Sequence, residues 1–135
     1  MKFVDKNLAI KLKEKGFNRP CFGYYQEDEF VLNLTSIHLP FGGNVTDTMV
    51  LHQGENDIVD APTTEQVLKW LREKKNIYVG IAYIPKIDNN TDFYYPTIQK
   101  IGDFEATHFG DNDKNFNSYE DASIAGIEYV VEHLI

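Results

Sequence analysis

The sequence has a single cysteine, no long apolar run and no excess of positive charge, and each shortage excludes a class of protein. Because Cys21 is the one cysteine among 135 residues, no internal disulfide framework can form, and we expect a reducing, cytoplasmic setting. No stretch approaches the roughly 18–20 apolar residues that a membrane-spanning helix needs. Residues 1–5 lack the apolar run of a secretory signal. We therefore expect no contact with a membrane.

The charge balance is acidic. The 13 Lys and Arg residues against 21 Asp and Glu residues leave a formal net charge of −8. The basic footprint of a nucleic-acid-binding protein is thus missing, and we expect no direct binding of nucleic acid. The ordinary consequence of such a balance is solubility. An alternative is an acidic decoy of a DNA-binding host protein, although the carboxylates are interleaved with lysines and a decoy needs a dense acidic face.

Three stretches have the apolar spacing of amphipathic helices. They cover residues 5–16, 64–75 and 119–133. Each begins at or next to a residue that can cap its first turn, namely Asp5, Thr63 or Ser118. The third helix has so wide an apolar stripe that we expect it to be buried along most of its length. His133 lies on that stripe, which predicts a core or interface position.

Runs of β-branched and aromatic residues predict the strands. They cover residues 21–26, 30–35, 77–84, 93–98 and 103–109. The first two runs flank a polar turn and predict a hairpin. The run at 77–84 is apolar on both faces, which predicts a central strand. Pro96 predicts that the run at 93–98 forms an edge strand or contains a bulge.

This order of elements predicts a single α+β domain over residues 1–135. We expect a largely antiparallel sheet of four to five strands, with the three helices packed mainly on one face. Residues 36–60 are the least regular part of the chain, with residues 48–52 as a candidate extra strand. A structureless segment of that length is uncommon in a compact domain unless it has a function.

Four segments together resemble a known group of proteins. They are KFVDKNLAIKLKEKGF at 2–17, PCFGYY at 20–25, DAPTTEQVLKWLREKK at 60–75 and SYEDASIAGIEY at 118–129. In this order they resemble small proteins carried by bacteriophages and integrated mobile elements of gut anaerobic bacteria. That group has no established activity, so the resemblance implies an accessory role in a bacterial or phage cytoplasm. It implies no catalytic residue, cofactor or metal ligand.

Cys21 is the one candidate nucleophile that the sequence offers. A histidine such as His38, His52 or His108 would have to serve as its base. No flanking motif supports this arrangement, and a free cysteine is most often simply buried. A small enzyme or ligand-binding protein that uses Cys21 or a His/Asp pair is therefore an alternative function.

The loop from Asp111 to Asn117 carries Asp or Asn at alternate positions, as the first half of a calcium-binding loop does. The glycine and the glutamate that such a loop requires are replaced by Phe116 and Ala122. A solvated loop is the simpler interpretation, and a weak cation site is the alternative. No motif assigns a catalytic, cofactor or metal site, and we expect none.

Tyrosines on the predicted strands form the most suggestive set of side chains. Alternation along a strand sends neighbouring tyrosines to opposite faces, so some of them are expected on the sheet face that the helices leave open. Such a face suits contact with a protein partner or a homodimer, whereas cross-strand packing alone also explains the aromatics. The predicted partner-binding residues are Tyr25, Tyr78, Tyr95 and Phe41. The leading hypothesis is thus a non-enzymatic protein-interaction module that uses this face and the segment 36–60.

Overall fold

The computed structural model describes residues 2–39, 42–54, 57–85, 93–102, 106–108 and 116–135, with the backbone alone at 35–39, 42–47 and 106–108. Its elements are α1 (Lys6–Glu14), β1 (Gly23–Gln26), β2 (Glu29–Leu32), β3 (Leu34–Leu39), β4 (Gly42–Asp47), β5 (Ile58–Ala61), α2 (Thr64–Lys74), β6 (Ile77–Ile84), β7 (Phe93–Lys100), β8 (Ala106–His108) and α3 (Tyr119–His133). The α+β class is confirmed, and so are the three predicted helices. No helix in the described part of the chain has the length and apolar character needed to cross a bilayer.

All described strand pairs are antiparallel, as predicted, but they are distributed over more than one sheet. The sheets have the strand orders β2-β1-β5, β3-β4 and β6-β7-β8. Asn33 separates the sheet β2-β1-β5 from the sheet β3-β4, because it interrupts the predicted strand at 30–35. Its backbone N–H donates to Phe22 O and its carbonyl accepts from Thr48 N, while its buried side chain donates to Cys21 O. The chain therefore leaves the first sheet after Leu32.

The chain forms two compact units, residues 3–63 and residues 64–135 together with Lys2. In the first unit, α1 packs against β5 and buries Leu8, Ala9 and Leu12. Asp5 caps the helix, since its carboxylate accepts from Leu8 N at 2.8 Å. Gly16 ends the helix with φ of 96°, a conformation that glycine adopts without steric cost. The prediction of a single domain stays a prediction.

Residues 48–52 contain no extended strand. Val50 and Cys21 instead exchange both backbone hydrogen bonds, each at 2.9 Å, in an isolated bridge. The bridge holds the segment before β1 against the segment before β5. Residues on either side of the hairpin β3-β4 are thereby brought together, although they are far apart in sequence.

In the second unit, α2 and α3 lie on the same sheet. Helix α3 contacts β6 and β7, and α2 contacts both β6 and α3. Ser118 caps α3, because its hydroxyl accepts from Asp121 N at 3.1 Å. The buried face of α3 includes Gly126, Ile127 and Val130, as its apolar stripe predicts. A core position for His133 is wrong, since its side chain is 58% exposed beside Glu132, whereas an interface position stays a prediction.

The predicted places of the two long strands are wrong in this sheet. Among the described strands of this sheet, β6 lies at an edge, and β7, which contains Pro96, lies in the middle. Strand β6 is apolar on both faces for another reason than two neighbouring strands. Helices pack on one of its faces, and aromatic side chains lie on the other. Pro96 lies outside the described part of the β8 ladder, which pairs with residues 97–99 of β7.

Candidate functional site

The sheet β6-β7 has one face covered by helices and one that these helices leave open. Ile77 and Val79 are 2% and 5% exposed on the covered face, whereas Tyr78 between them is 48% exposed. The register pairs Tyr78 with Gln99 and Ala82 with Tyr95, so both tyrosines share the open face. Two of the predicted partner-binding residues, Tyr78 and Tyr95, are therefore brought onto one surface, where Tyr95 is half-buried.

Backbone pairing shows which groups of β6 face the free edge. Tyr94 of β7 exchanges both backbone hydrogen bonds with Phe116, each at 2.8 Å, on the side of β7 opposite to β6. Because backbone groups alternate sides along a strand, the odd-numbered residues of β7 bond to the even-numbered residues of β6. The N–H and C=O groups of Ile77, Val79 and Ile81 consequently point away from β7. Among the described residues, no backbone group bonds to them there.

Strand β6 lacks, in its own sequence and pairing, the features that usually protect an edge. Proteins block an exposed edge with charged residues, proline, bulges or very short strands. The eight residues of β6 include no charged residue and no proline, and they pair with β7 in continuous register. An aromatic, uncharged edge of this kind is able to accept another strand.

Tyr25 lies in the first unit and has an intramolecular role. Its hydroxyl donates to Val4 O at 2.7 Å, and its ring lies 5.5 Å from the ring of Phe30. Burial, reinforced by the charge of Asp5, raises the pKa of the hydroxyl. The side chain thus ties β1 to the N-terminal segment. A role for Tyr25 in contacting a partner stays a prediction.

Two other predicted sites fall largely outside the described residues. Phe41 lies outside them, and so do residues 111–115 of the candidate cation loop. Asn117, at the end of that loop, is exposed. Within the described part of the chain, no group of three or more His, Cys, Asp or Glu side chains is arranged to hold a metal ion.

Cys21 is buried and unsuited to act as a nucleophile. Its side chain is fully buried, and its Sγ donates to Arg19 O at 3.3 Å. Burial, together with the charge of Asp60, raises the pKa of the thiol to about 12. The reactive species is the thiolate, and this environment keeps the group protonated at neutral pH.

His52 and Asp60 form the His/Asp pair of the alternative hypothesis. Asp60 Oδ1 lies 2.6 Å from His52 Nδ1, and Asp60 Oδ2 accepts from His52 N at 2.9 Å. The two side chains are 14% and 10% exposed, and the ring of Tyr24 lies 4.8 Å from the imidazole. The carboxylate orients the ring through Nδ1. The other ring nitrogen, Nε2, has no hydrogen-bond partner among the described residues.

Sequence reasoning named His52 but not its partner. Asp60 is found on β5 through the register Tyr24↔Asp60, which places the carboxylate next to the residue whose ring covers His52. No sequence motif marks this pair, whose members lie eight residues apart. His38 and His108 lie on strands for which the structure describes the backbone alone.

Comparisons with known proteins found a similarity to one part of a much longer protein. No family model and no solved structure matches the chain. The chain is similar to an arginine–tRNA ligase of Anaplasma phagocytophilum (strain HZ), at 30% identity over 126 residues. This alignment covers 87% of the chain and 21% of the ligase, so the chain spans about a fifth of the length of this curated relative.

Proposed function

We propose that this chain is a cytoplasmic, non-enzymatic protein-interaction module that pairs through the free edge of β6, and that its partner strand is β6 of a second copy. The observation that carries the proposal is an uncharged aromatic strand, Ile77–Ile84, at the edge of its described sheet, where the outward backbone groups of Ile77, Val79 and Ile81 have no backbone partner among the described residues. The resemblance to phage and mobile-element proteins supports an accessory role for the module.

The absence of charged residues in β6 is compatible with a second copy as the occupant. The whole chain carries a net charge of −8, so most contacts between two copies bring like charges together. Strand β6 carries no charge, and pairing it with itself avoids this repulsion at the line of contact. The edge of β6 is therefore a part of the described surface where two acidic chains can meet closely.

The residue pattern of β6 is also compatible with itself. In an antiparallel pair centred on Gly80, residues opposite each other share the same face, because their numbers are both odd or both even. Val79 then lies opposite Ile81 of the second copy, and these are residues whose backbone groups point outward. On the open face, Tyr78 lies opposite Ala82 of the second copy. The small Ala82 leaves room for the tyrosine ring.

Sedimentation velocity over a range of protein concentrations tests the proposal. Because a strand edge is a small contact, we expect reversible dimerisation with a dissociation constant roughly in the micromolar range or weaker. Ala82→Lys places a charge opposite Tyr78 of the second copy, and we expect it to weaken dimerisation at least about tenfold, or about 1.4 kcal/mol. Mixing the Ala82→Lys and Tyr78→Glu variants should restore pairing through the new ion pair.

Gln99→Lys is the matched control. Gln99 lies on the same open face but on β7, one strand away from the edge. The proposal expects this variant to dimerise as the unmodified chain does. A chain that stays monomeric at every concentration, or one whose dimer is weakened equally by Gln99→Lys and Ala82→Lys, would overturn the proposal.

A further inference from the structure

The first unit contains a cavity beside the His52–Asp60 pair. Its volume is about 380 Å³, within the range of sites that hold small molecules. One wall is the end of α1 with Ala9, Lys13 and the following Phe17, and the other is formed by Leu51 and the His52–Asp60 pair. The lining thus combines apolar side chains with a few polar groups, as small-molecule sites do.

The charged groups that line this cavity do not share the acidity of the chain. Among the described lining residues, they are Lys13, Asp60 and, when protonated, His52. Their charges sum to zero with a neutral imidazole and to plus one with a protonated one, against −8 for the whole chain. Lys13 makes no ion pair with a described residue, and both oxygens of Asp60 are engaged by His52. The cationic group is therefore the one left to meet a ligand.

Capping reduces the partial negative charge that the end of α1 presents to the cavity. The last carbonyls of a helix carry partial negative charge when they lack partners. Here Lys15 N donates to Lys11 O, Gly16 N to Lys13 O and Phe17 N to Leu12 O. The capped carbonyls are satisfied within the backbone, so Lys13 provides the main local charge on this wall.

We propose that the cavity binds a small organic acid with an apolar body. The carboxylate meets the ammonium group of Lys13, and a polar atom of the ligand bonds to Nε2 of His52, whose ring is oriented by Asp60. The apolar body packs against Ala9, Phe17 and Leu51. This ligand site is independent of the pairing of β6, so either proposal can fail without the other.

Titration of the ¹⁵N-labelled chain with benzoate tests this assignment, with neutral benzamide as the isosteric comparison. We expect benzoate to shift the ring resonances of His52 and the amide signals of the cavity residues in a saturable way. Benzamide, which lacks the charge, should bind at least about fivefold more weakly, the factor that corresponds to about 1 kcal/mol.

Two matched variants separate specific binding from general charge effects. Lys13→Met removes the proposed anion contact at an exposed position, and we expect benzoate affinity to fall about fivefold while benzamide affinity is unchanged. Lys11→Met removes an exposed charge from the same helix away from the cavity and should leave both affinities unchanged. The proposal is overturned if benzoate causes no saturable shifts at the cavity residues, if the two ligands bind equally, or if both variants have the same effect.

Discussion

Gly126 of α3 lies so close to Val79 of β6 that a Cβ atom at position 126 would stand 2.7 Å from Val79 Cγ1. The same atom would stand 2.9 Å from Cβ of Pro96 on β7. A glycine inside a helix ordinarily costs about 0.5–1 kcal/mol relative to alanine. Here the close approach of helix backbone to sheet explains the glycine, because any larger residue would push α3 away from both strands.

Gly126→Ala should therefore destabilise the protein, although alanine favours helices. We expect the free energy of unfolding in urea to fall by about 1–3 kcal/mol, which is typical of overpacked sites. In a Val79→Ala background the nearer contact is gone, so the additional cost of Gly126→Ala should be smaller. A Gly126→Ala variant more stable than the original chain would contradict the close approach.

Cys21 should react slowly with thiol reagents in the folded protein. A pKa raised from 9.0 to about 12 lowers the thiolate fraction near neutral pH about a thousandfold, and burial also blocks access. We expect labelling by an iodoacetamide reagent to be slower than for free cysteine by at least this factor, and to become fast in urea. Labelling of the folded chain at the rate of free cysteine would show that the thiol is exposed.

The same pKa shift predicts an alkaline loss of stability. A thiol whose folded pKa is raised contributes stability that is present below its unfolded pKa, 9.0, and is lost as pH rises toward about 12. The unfolding midpoint of the original chain should therefore fall more steeply above about pH 9 than that of Cys21→Ala. Since tyrosines and lysines titrate in the same range, the difference between the two proteins is the quantity to measure. Equal slopes would show that the thiol pKa is not raised by folding.

Asn33→Ala should destabilise the first unit. The buried amide of Asn33 donates to Cys21 O at 2.9 Å, where the first sheet ends and the next hairpin begins. Losing this bond should lower the free energy of unfolding by about 1–3 kcal/mol. Asn7→Ala is the control, because Asn7 is exposed on α1 and the change should alter stability by less than about 0.5 kcal/mol. Equal effects of the two variants would argue against a structural role for the Asn33 amide.

The pKa of Asp121 should depend on Lys2. Lys2 Nζ donates to Asp121 Oδ1 at 2.8 Å, and this bond, with one to Ser118, holds the pKa of Asp121 below its ordinary value of 3.8. The depressed folded pKa favours the folded state above pH 3.8, and this contribution is lost as pH falls through the folded pKa. NMR titration of the carboxyl carbon should show a higher pKa in Lys2→Met. Asp28, whose pKa is lowered by Lys6, should titrate unchanged in that variant and serves as the internal control.

The helices were predictable because their signals lie within the sequence of each helix. Asp5 and Ser118 accept hydrogen bonds from backbone N–H groups three residues later, and such caps are visible in the sequence. Helix ends are equally local, since Gly16 and Asn76 adopt positive φ just beyond α1 and α2. His133 shows the limit of this reasoning. The apolar stripe includes it, but its position in the last turn leaves the side chain exposed.

The candidate sites were less predictable, because each depends on how segments are arranged in three dimensions. The open face was anticipated through the alternation of Tyr78 and Tyr95, yet the sequence alone could not show that β6 has a single neighbour. An apolar run looks the same whether a strand or a layer of helices covers it. The pair His52–Asp60 was not recognised, because no motif marks a histidine and an aspartate eight residues apart.

By itself, the sequence determined the three helices, the caps of α1 and α3, the antiparallel character of the strands and the α+β class. These properties arise from contacts within a few residues or from periodic patterns along one element. Tertiary structure alone decided that β6 lies at the edge of its described sheet, that Pro96 lies outside the described β8 ladder, and that Cys21 is buried near Asp60. Those outcomes depend on which distant segments pair, and strand pairing leaves no local mark on the residues that take part.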